Sequence, residues 1–307
     1  MGTGLVGASF AYALMQRRLA NELVMIDANR GRAEAEAMDL NHGLPFVRPM
    51  RIRAGDYADL AGAAVTVVTA GAAQRQGETR LQLLERNVAI LRGIIPQVVR
   101  YNPDGIVLLA SNPVDLMTHL SLQISGLPPA RVFGSGTILD TARFRYLLGQ
   151  HYNVDPRSVH GYIVGEHGDS EVPLWSLANI GGVRLRDFRS AAGQGYDEAA
   201  LQSIFEQTRD AAYTIIDRKG ATYYAIGLGL LSIVEAILRD QHTVLTVSSL
   251  MAGQYGVKDI CISLPSIVGA HGIEGVLDLP LSSDEAEAFR RSASILQERF
   301  RQVPASA

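Results

Sequence analysis

Apolar and polar positions alternate with one rhythm in the first half of the chain and another in the second. Short apolar runs at Leu23–Ile26, Ile52–Ala54, Val65–Thr69, Ile106–Ala110 and Val132–Phe133 predict strands. Between them, apolar residues recurring every three or four positions predict helices at about 5–18, 30–43, 80–101 and 114–125. Asn102-Pro103-Asp104-Gly105 and Ser111-Asn112-Pro113 are turn signals at strand edges. This alternation predicts an α/β fold with a doubly wound parallel sheet. In the second half, strand-like runs at 159–164, 242–248 and 260–268 surround helical stretches at about 197–217 and 220–239. A last helix is expected at about 283–302, with Ser283 as N-cap and Glu285 and Glu287 in its first turns. That half reads as a mixed α+β domain. The boundary falls near residue 135, giving domains 1–135 and 136–307.

Composition narrows the classes. Apolar residues make up 47% and charged residues 19%, enough to bury a sizeable core. The net charge is -3 with both signs mixed, and no basic block points to nucleic acid. Cys261 is the single cysteine, so an internal disulfide is impossible, which suits a reducing cytoplasm; it reads as a small core residue. The N-terminus lacks a basic region followed by an apolar one. The most apolar long stretch, Tyr223–Leu238, carries Glu235 and is too short for a membrane span, so it reads as a buried helix.

Met1-Gly2-Thr3-Gly4-Leu5-Val6-Gly7 contains G-x-G-x-x-G. Gly2 would permit a tight turn, Gly4 a close approach of backbone to a pyrophosphate, and Gly7 close packing of the following helix on the sheet. Alone the spacing is weak in a chain with 30 glycines. Here a helix follows, and then Asp27 ends the predicted second strand, placed to bind a ribose diol and to repel a 2′-phosphate. A strand should precede the fingerprint and lie at the sheet's centre. The expectation is therefore a chain that begins after its first strand, with the sheet opened where that strand would run.

The segment Ala70 to Arg80 is polar, bears glycine and follows a strand, as a lid would. Arg80 would arrive with it as a guanidinium near a developing alkoxide. Asp140 and Arg143 share one helix face; taken alone they read better as an intrahelical ion pair. His167, between Gly165 and Gly168 after an apolar strand, could be an acid or base near neutral pH or a structural histidine. The other histidines lack ligand spacing, so no metal is expected. Neither G-x-S-x-G nor an NTPase P-loop is present.

Together these motifs resemble the lactate/malate dehydrogenase family, and most closely its bacterial L-lactate branch. The most specific pieces are Gly77-Glu78-Thr79-Arg80, Ser111-Asn112-Pro113-Val114-Asp115, the run Gly134 to Phe144, and Gly165-Glu166-His167-Gly168-Asp169-Ser170. The resemblance implies NAD as cofactor and interconversion of L-lactate and pyruvate, with malate chemistry or a catalytically weak binding role as alternatives. His167 would carry the proton and Asp140 hold its ring. Arg143 would grip the substrate carboxylate, and Arg80 would polarise the carbonyl. Asn112 would touch ribose or substrate; Gly71, Ser111 and Ser135 would be further cofactor contacts. Gln74 stands where malate-type relatives carry arginine, so a second substrate carboxylate would lack a counter-charge, although Arg75 is its neighbour. Thr222 would wall the side-chain pocket. Arg145 and His160 match an effector site for fructose 1,6-bisphosphate, and a homotetramer is implied.

Overall fold

The structure, a computed structural model, describes residues 1–72 and 80–303, and of Arg80 and Leu81 the backbone only. Strands β1 (Glu22–Met25) and β2 (Arg51–Ala54) pair in parallel. Strands β3 (Val65–Val68), β4 (Ile106–Leu109) and β5 (Val132–Gly134) form a second parallel set. Helices α1 (Leu5–Arg17), α2 (Arg30–Gly43), α3 (Arg80–Tyr101) and α4 (Val114–Ser125) alternate with these strands. Strands covered by helices on both faces need no polar side: all four residues of β4 are buried. The architecture is the doubly wound α/β class expected.

The parallel strands fall into two sheets. β1 and β3 belong to separate sheets, and a cavity of about 560 Å³ lies between them. Met1 and Gly2 bridge its top. Thr69 N–H donates to the Met1 carbonyl at 2.8 Å, and Gly2 N–H donates to the Ile26 carbonyl at 2.8 Å.

The second half adds α5 (Ile138–Tyr152), the short strands β6 (Val159–His160), β7 (Ile163–Val164), β8 (Val172–Pro173), β9 (Asn179–Ile180) and β10 (Val183–Arg184), and the helices α6 (Glu198–Lys219) and α7 (Tyr224–Leu238). The long strands β11 (Thr243–Ala252), β12 (Lys258–Gly269) and β13 (Gly272–Val276) follow, then α8 (Ser283–Arg301). β11 pairs antiparallel with β5, so one sheet in the order β13-β12-β11-β5-β4-β3 crosses both halves. Cys261 is buried in β12, and burial pushes its thiol pKa up. No helix among the described residues is long and apolar enough to cross a membrane.

Three expectations are corrected. The single strand at 159–164 is two strands, β6 and β7, interrupted at Gly161 and Tyr162. Gly161 passes so close to α5 that a Cβ there would lie 2.8 Å from the Phe144 ring. The helix expected from residue 220 begins at Tyr224, because Gly220, at φ 85°, caps α6 instead. The N-cap of α8 is Ser282, not Ser283. Ser282 Oγ accepts from Glu285 N–H at 3.3 Å, and the Glu285 carboxylate accepts from Ser282 N–H at 2.9 Å. Of two adjacent serines, only Ser282 stands three residues before the glutamate, as a reciprocal cap requires.

Candidate active site

The glycine fingerprint forms the turn from Met1–Gly2 into α1. Gly2 adopts φ +87°, and a Cβ on it would lie 2.6 Å from Ala70 N. A Cβ on Gly7 would lie 2.0 Å from the Gly2 carbonyl. Gly4 has open space around it, and as N-cap of α1 it offers no side-chain hydrogen bond. The first-turn N–H groups of α1 therefore face room for an anion. Asp27 follows β1 and accepts from Thr3 N–H at 2.6 Å, Thr3 Oγ1–H at 3.1 Å and Asn29 N–H at 2.9 Å. Partial burial opposes its ionisation, but those bonds, with Arg32 nearby, hold its pKa below the usual carboxylate range.

Gly71, exposed, follows β3. Ser111 follows β4, and its Oγ donates to the Ala70 carbonyl at 2.5 Å. Asn87 of α3 ties these loops: its Oδ1 accepts from Ala72 N–H at 2.7 Å and its Nδ2 donates to the Asn112 carbonyl at 2.9 Å. Ser135 follows β5, buried, its N–H on the Leu109 carbonyl at 2.8 Å. Gly2, Gly4, Gly7, Asp27, Gly71, Ser111, Asn112 and Ser135 thus all stand at the carboxyl edge of the parallel strands, where such sheets bind dinucleotides. The open space at Gly4 and the ionised Asp27 fit a pyrophosphate and an unphosphorylated ribose.

His167 sits in the loop between β7 and β8. Its Nδ1 lies 2.5 Å from Asp140 Oδ2, and Arg143 Nη1 donates to Asp140 Oδ1 at 2.8 Å. The Asp140 side chain is 3% exposed, against 13% for Arg143 and 25% for His167. The two charged heads therefore approach solvent while their common anchor does not. Burial disfavours the imidazolium, but the Asp140 charge and hydrogen bond, with Asp115 and Glu171 adding, more than reverse it and raise the His167 pKa to about 9. Asp140 stays ionised: burial opposes it, and His167 and Arg143 overcome that. Nδ1 is engaged by Asp140, which leaves Nε2 as the ring nitrogen for proton exchange.

Several residues that support this arrangement were not singled out from the sequence. Asp115 of α4 accepts from the backbone N–H of His167 at 2.7 Å. Its own pKa is raised to about 6, burial outweighing that bond. Ser292 of α8 accepts from Glu166 N–H at 2.8 Å, and Arg299 of α8 pairs with the Glu166 carboxylate. Gly165, at φ +90°, lets the loop turn beneath Ser292. Glu171, buried, has an Oε1 without a hydrogen-bond partner. Burial, then the Asp140 charge, push its pKa well above the carboxylate range. The signal for Asp115 is its place in the Ser111–Asp115 motif; Ser292 and Arg299 meet the loop only through tertiary packing, and Glu171 lies in the loop itself, one residue past the Gly165–Ser170 motif.

Some of the remaining expected residues lie outside the described residues. Gln74 lies outside them, and of Arg80 only its place as first residue of α3 is described. Thr222, partly buried, stands between α6 and α7. Arg145 turns towards β6: its Nε donates to the Gly161 carbonyl at 3.0 Å, and its guanidinium stands 5.3 Å from the Tyr162 ring centre. His160, next to Gly161, is exposed.

Comparison with known proteins converges on one family. Residues 1–134 match the NAD binding domain of lactate/malate dehydrogenase, and residues 137–306 its alpha/beta C-terminal domain. The L-lactate dehydrogenase of Priestia megaterium is 53% identical over 298 residues, 97% of this chain and 93% of that protein. The L-lactate dehydrogenase of Thermoanaerobacter pseudethanolicus is 50% identical over 297 residues, 97% and 96% of the two chains. The crystal structure of minor L-lactate dehydrogenase from Enterococcus mundtii, in a ligands-bound form, superposes with a TM-score of 0.95 at 43% identity, covering 99% of this chain and 97% of that one.

Proposed function

Because this chain belongs to the lactate/malate dehydrogenase family, we propose that it interconverts L-lactate and pyruvate with NAD as its cofactor. The observation that carries the reading is His167, its Nδ1 2.5 Å from Asp140 Oδ2, with the Arg143 guanidinium on the other oxygen of the same carboxylate. When bound, NAD supplies or accepts the hydride at the substrate's second carbon.

The chain's own residues supply binding and the proton. Arg143 spends one nitrogen on Asp140, and its remaining donors suit a carboxylate held by two parallel bonds. In pyruvate reduction, protonated His167 gives the Nε2 proton to the carbonyl oxygen as carbon accepts the hydride, leaving lactate and a neutral imidazole. The reverse reaction takes the hydroxyl proton back to Nε2. Asp140 stabilises the imidazolium and fixes which nitrogen faces the substrate.

Arg80, the first residue of α3, polarises the carbonyl, and Asn112 borders the cofactor ribose or substrate. Thr222 walls the pocket on the side of the substrate methyl. Gln74 leaves a second carboxylate without a counter-charge, which favours pyruvate over oxaloacetate. The reading extends to domains 1–135 and 136–307, a cytoplasmic homotetramer, and a fructose 1,6-bisphosphate site at Arg145 and His160.

NADH oxidation with pyruvate and with oxaloacetate, side by side, tests it. A higher kcat/KM for pyruvate is expected, and Gln74→Arg should shift preference towards oxaloacetate. A higher kcat/KM for oxaloacetate overturns the lactate assignment. No turnover with either substrate, despite tight NADH binding in a fluorescence titration, leaves a binding role only.

A further inference from the structure

Three side chains that can ligate a metal converge where α7 hands over to β11. Asp240 and His242 lie in the turn between those elements, and Glu274 lies in β13. His242 Nε2 stands 2.9 Å from Glu274 Oε2 and 3.8 Å from Asp240 Oδ1, and one ligand atom from each residue lies within 4.8 Å of the other two. Glu274 is the extra residue of a bulge. Val268 of β12 pairs with Ile273 and Ile267 pairs with Gly275, which leaves Glu274 out of the ladder and free to aim its side chain at the turn. Gly269 makes room for both carboxylates: a Cβ there would overlap Glu274 Oε1 and lie 3.0 Å from Asp240 Oδ1. Asp240 Oδ1 also accepts from Ala270 N–H at 2.9 Å, which holds that carboxylate in place. Among the described residues, neither carboxylate is paired with a lysine or an arginine.

The two ring nitrogens of His242 have different tasks. Nδ1 lies 3.1 Å from the Asp240 carbonyl, which can only accept, so Nδ1 carries a proton. In a neutral ring Nε2 then turns its lone pair towards two carboxylates, an arrangement that calls for a positive charge between them. We propose that Asp240, His242 and Glu274 form a binding site for a divalent transition-metal cation of the Zn²⁺ type, with water completing its coordination. Ligands held tetrahedrally at about 2.0–2.1 Å from such an ion stand roughly 3.3 Å apart, and the two distances from Nε2 fall on either side of that value. One imidazole nitrogen and two carboxylate oxygens suit zinc better than magnesium or calcium, which prefer oxygen alone. A backbone carbonyl on the second nitrogen is how ligating histidines are commonly oriented. Two carboxylates would balance the charge of the ion. Bound there, it would clip the turn before β11 to β13. The spacing of histidines along the sequence carries no sign of this site, because Glu274 comes from another strand.

Calorimetric titration with Zn²⁺ at one fixed pH tests this on four proteins: the unaltered chain, His242→Ala, Glu274→Gln and His271→Ala. The unaltered chain is expected to show a site that is lost, or at least about tenfold weaker, in His242→Ala and Glu274→Gln. His271→Ala should keep it, because that neighbouring histidine stands outside the cluster. Saturating Zn²⁺ should also raise the melting temperature of the unaltered chain and of His271→Ala, and raise that of His242→Ala by less. Circular dichroism of the metal-free proteins checks that all four are folded. Neither readout depends on the lactate reaction. No Zn²⁺ binding by the unaltered chain, equal binding with and without His242, or a loss confined to His271→Ala would overturn the proposal.

Discussion

His167 Nδ1 and Asp140 Oδ2 stand 2.5 Å apart, across 27 residues of sequence, and this one contact sets the acid strength of the site. With its pKa raised to about 9, His167 is protonated through the neutral range. Reduction of pyruvate needs that proton, so its kcat/KM should stay level near neutrality and fall as pH rises through about 9. Lactate oxidation needs the neutral ring and should rise over the same interval. The linkage to stability has the same sign: the pair contributes fully below an unfolded histidine's pKa of about 6.5, and the contribution is lost as pH rises through the folded value. Rate profiles in both directions check this; a pyruvate limb centred near 6.5 would contradict it.

Asp140→Asn keeps the shape of the anchor and removes its charge. Burial then governs the imidazole, and burial lowers its pKa. The expected result is a pyruvate limb displaced to lower pH by more than about a unit, with kcat/KM lower by about 10²–10⁴-fold. A loss of rate with an unmoved limb would assign Asp140 a purely structural role.

Arg143→Gln removes the guanidinium that pairs with Asp140 and is assigned to the substrate carboxylate. Loss of a buried charge-assisted partner costs about 3 kcal/mol, or roughly 10²-fold, and should fall mainly on the pyruvate KM. NADH affinity, measured by fluorescence, should hardly move. If NADH affinity fell as far as pyruvate affinity, the assignment of Arg143 to the substrate would be wrong.

The parts of this site that could be read from the sequence are those in which local chemistry demands a residue type. Gly2 and Gly7 tolerate no side chain because backbone lies against them, so the fingerprint shows in the letters. Asp140 and Arg143 share a helix face by simple periodicity. Tertiary partners leave no such trace. Ser292 meets Glu166 across 126 residues, and Asp115 meets His167 across 52. The two-residue strands β8 to β10 are too short for alternation to register, and the split of 159–164 depends on a ring from another helix. Ser282 and Ser283 show the limit at one position: both are good caps by type, and the reciprocal bond with Glu285 decides between them.

Cofactor choice should rest on Asp27. Its carboxylate is ionised and already holds Thr3 through Oδ2, yet Oδ1, which accepts only from Asn29, keeps a further lone pair for a ribose hydroxyl. A 2′-phosphate beside it would meet like charge. NADH should therefore exceed NADPH in kcat/KM, and Asp27→Ser should narrow the ratio by about tenfold, chiefly by relieving that repulsion. A preference of the unaltered chain for NADPH would defeat the argument.

Arg145 carries the last expectation, that a sugar bisphosphate tunes the enzyme. Its guanidinium is placed by two contacts, the Gly161 carbonyl and the Tyr162 ring, both in the segment that follows exposed His160 in the chain. Two residues along a helix separate Arg145 from Arg143 by about 200°, so the two cations serve different surfaces. With one nitrogen engaged, the fork of Arg145 keeps donors for a phosphate, and a protonated His160 would add a second charge. If copies of the chain meet at this surface, like charges there oppose assembly, and a bisphosphate between them removes the opposition. Millimolar fructose 1,6-bisphosphate should then lower the pyruvate KM about five-fold or more, the lower bound of ordinary allosteric coupling. In Arg145→Gln the ratio of KM values without and with the effector should fall to one, with circular dichroism confirming an intact fold. An unresponsive parent chain, or a variant that responds as the parent does, would remove Arg145 from any effector site.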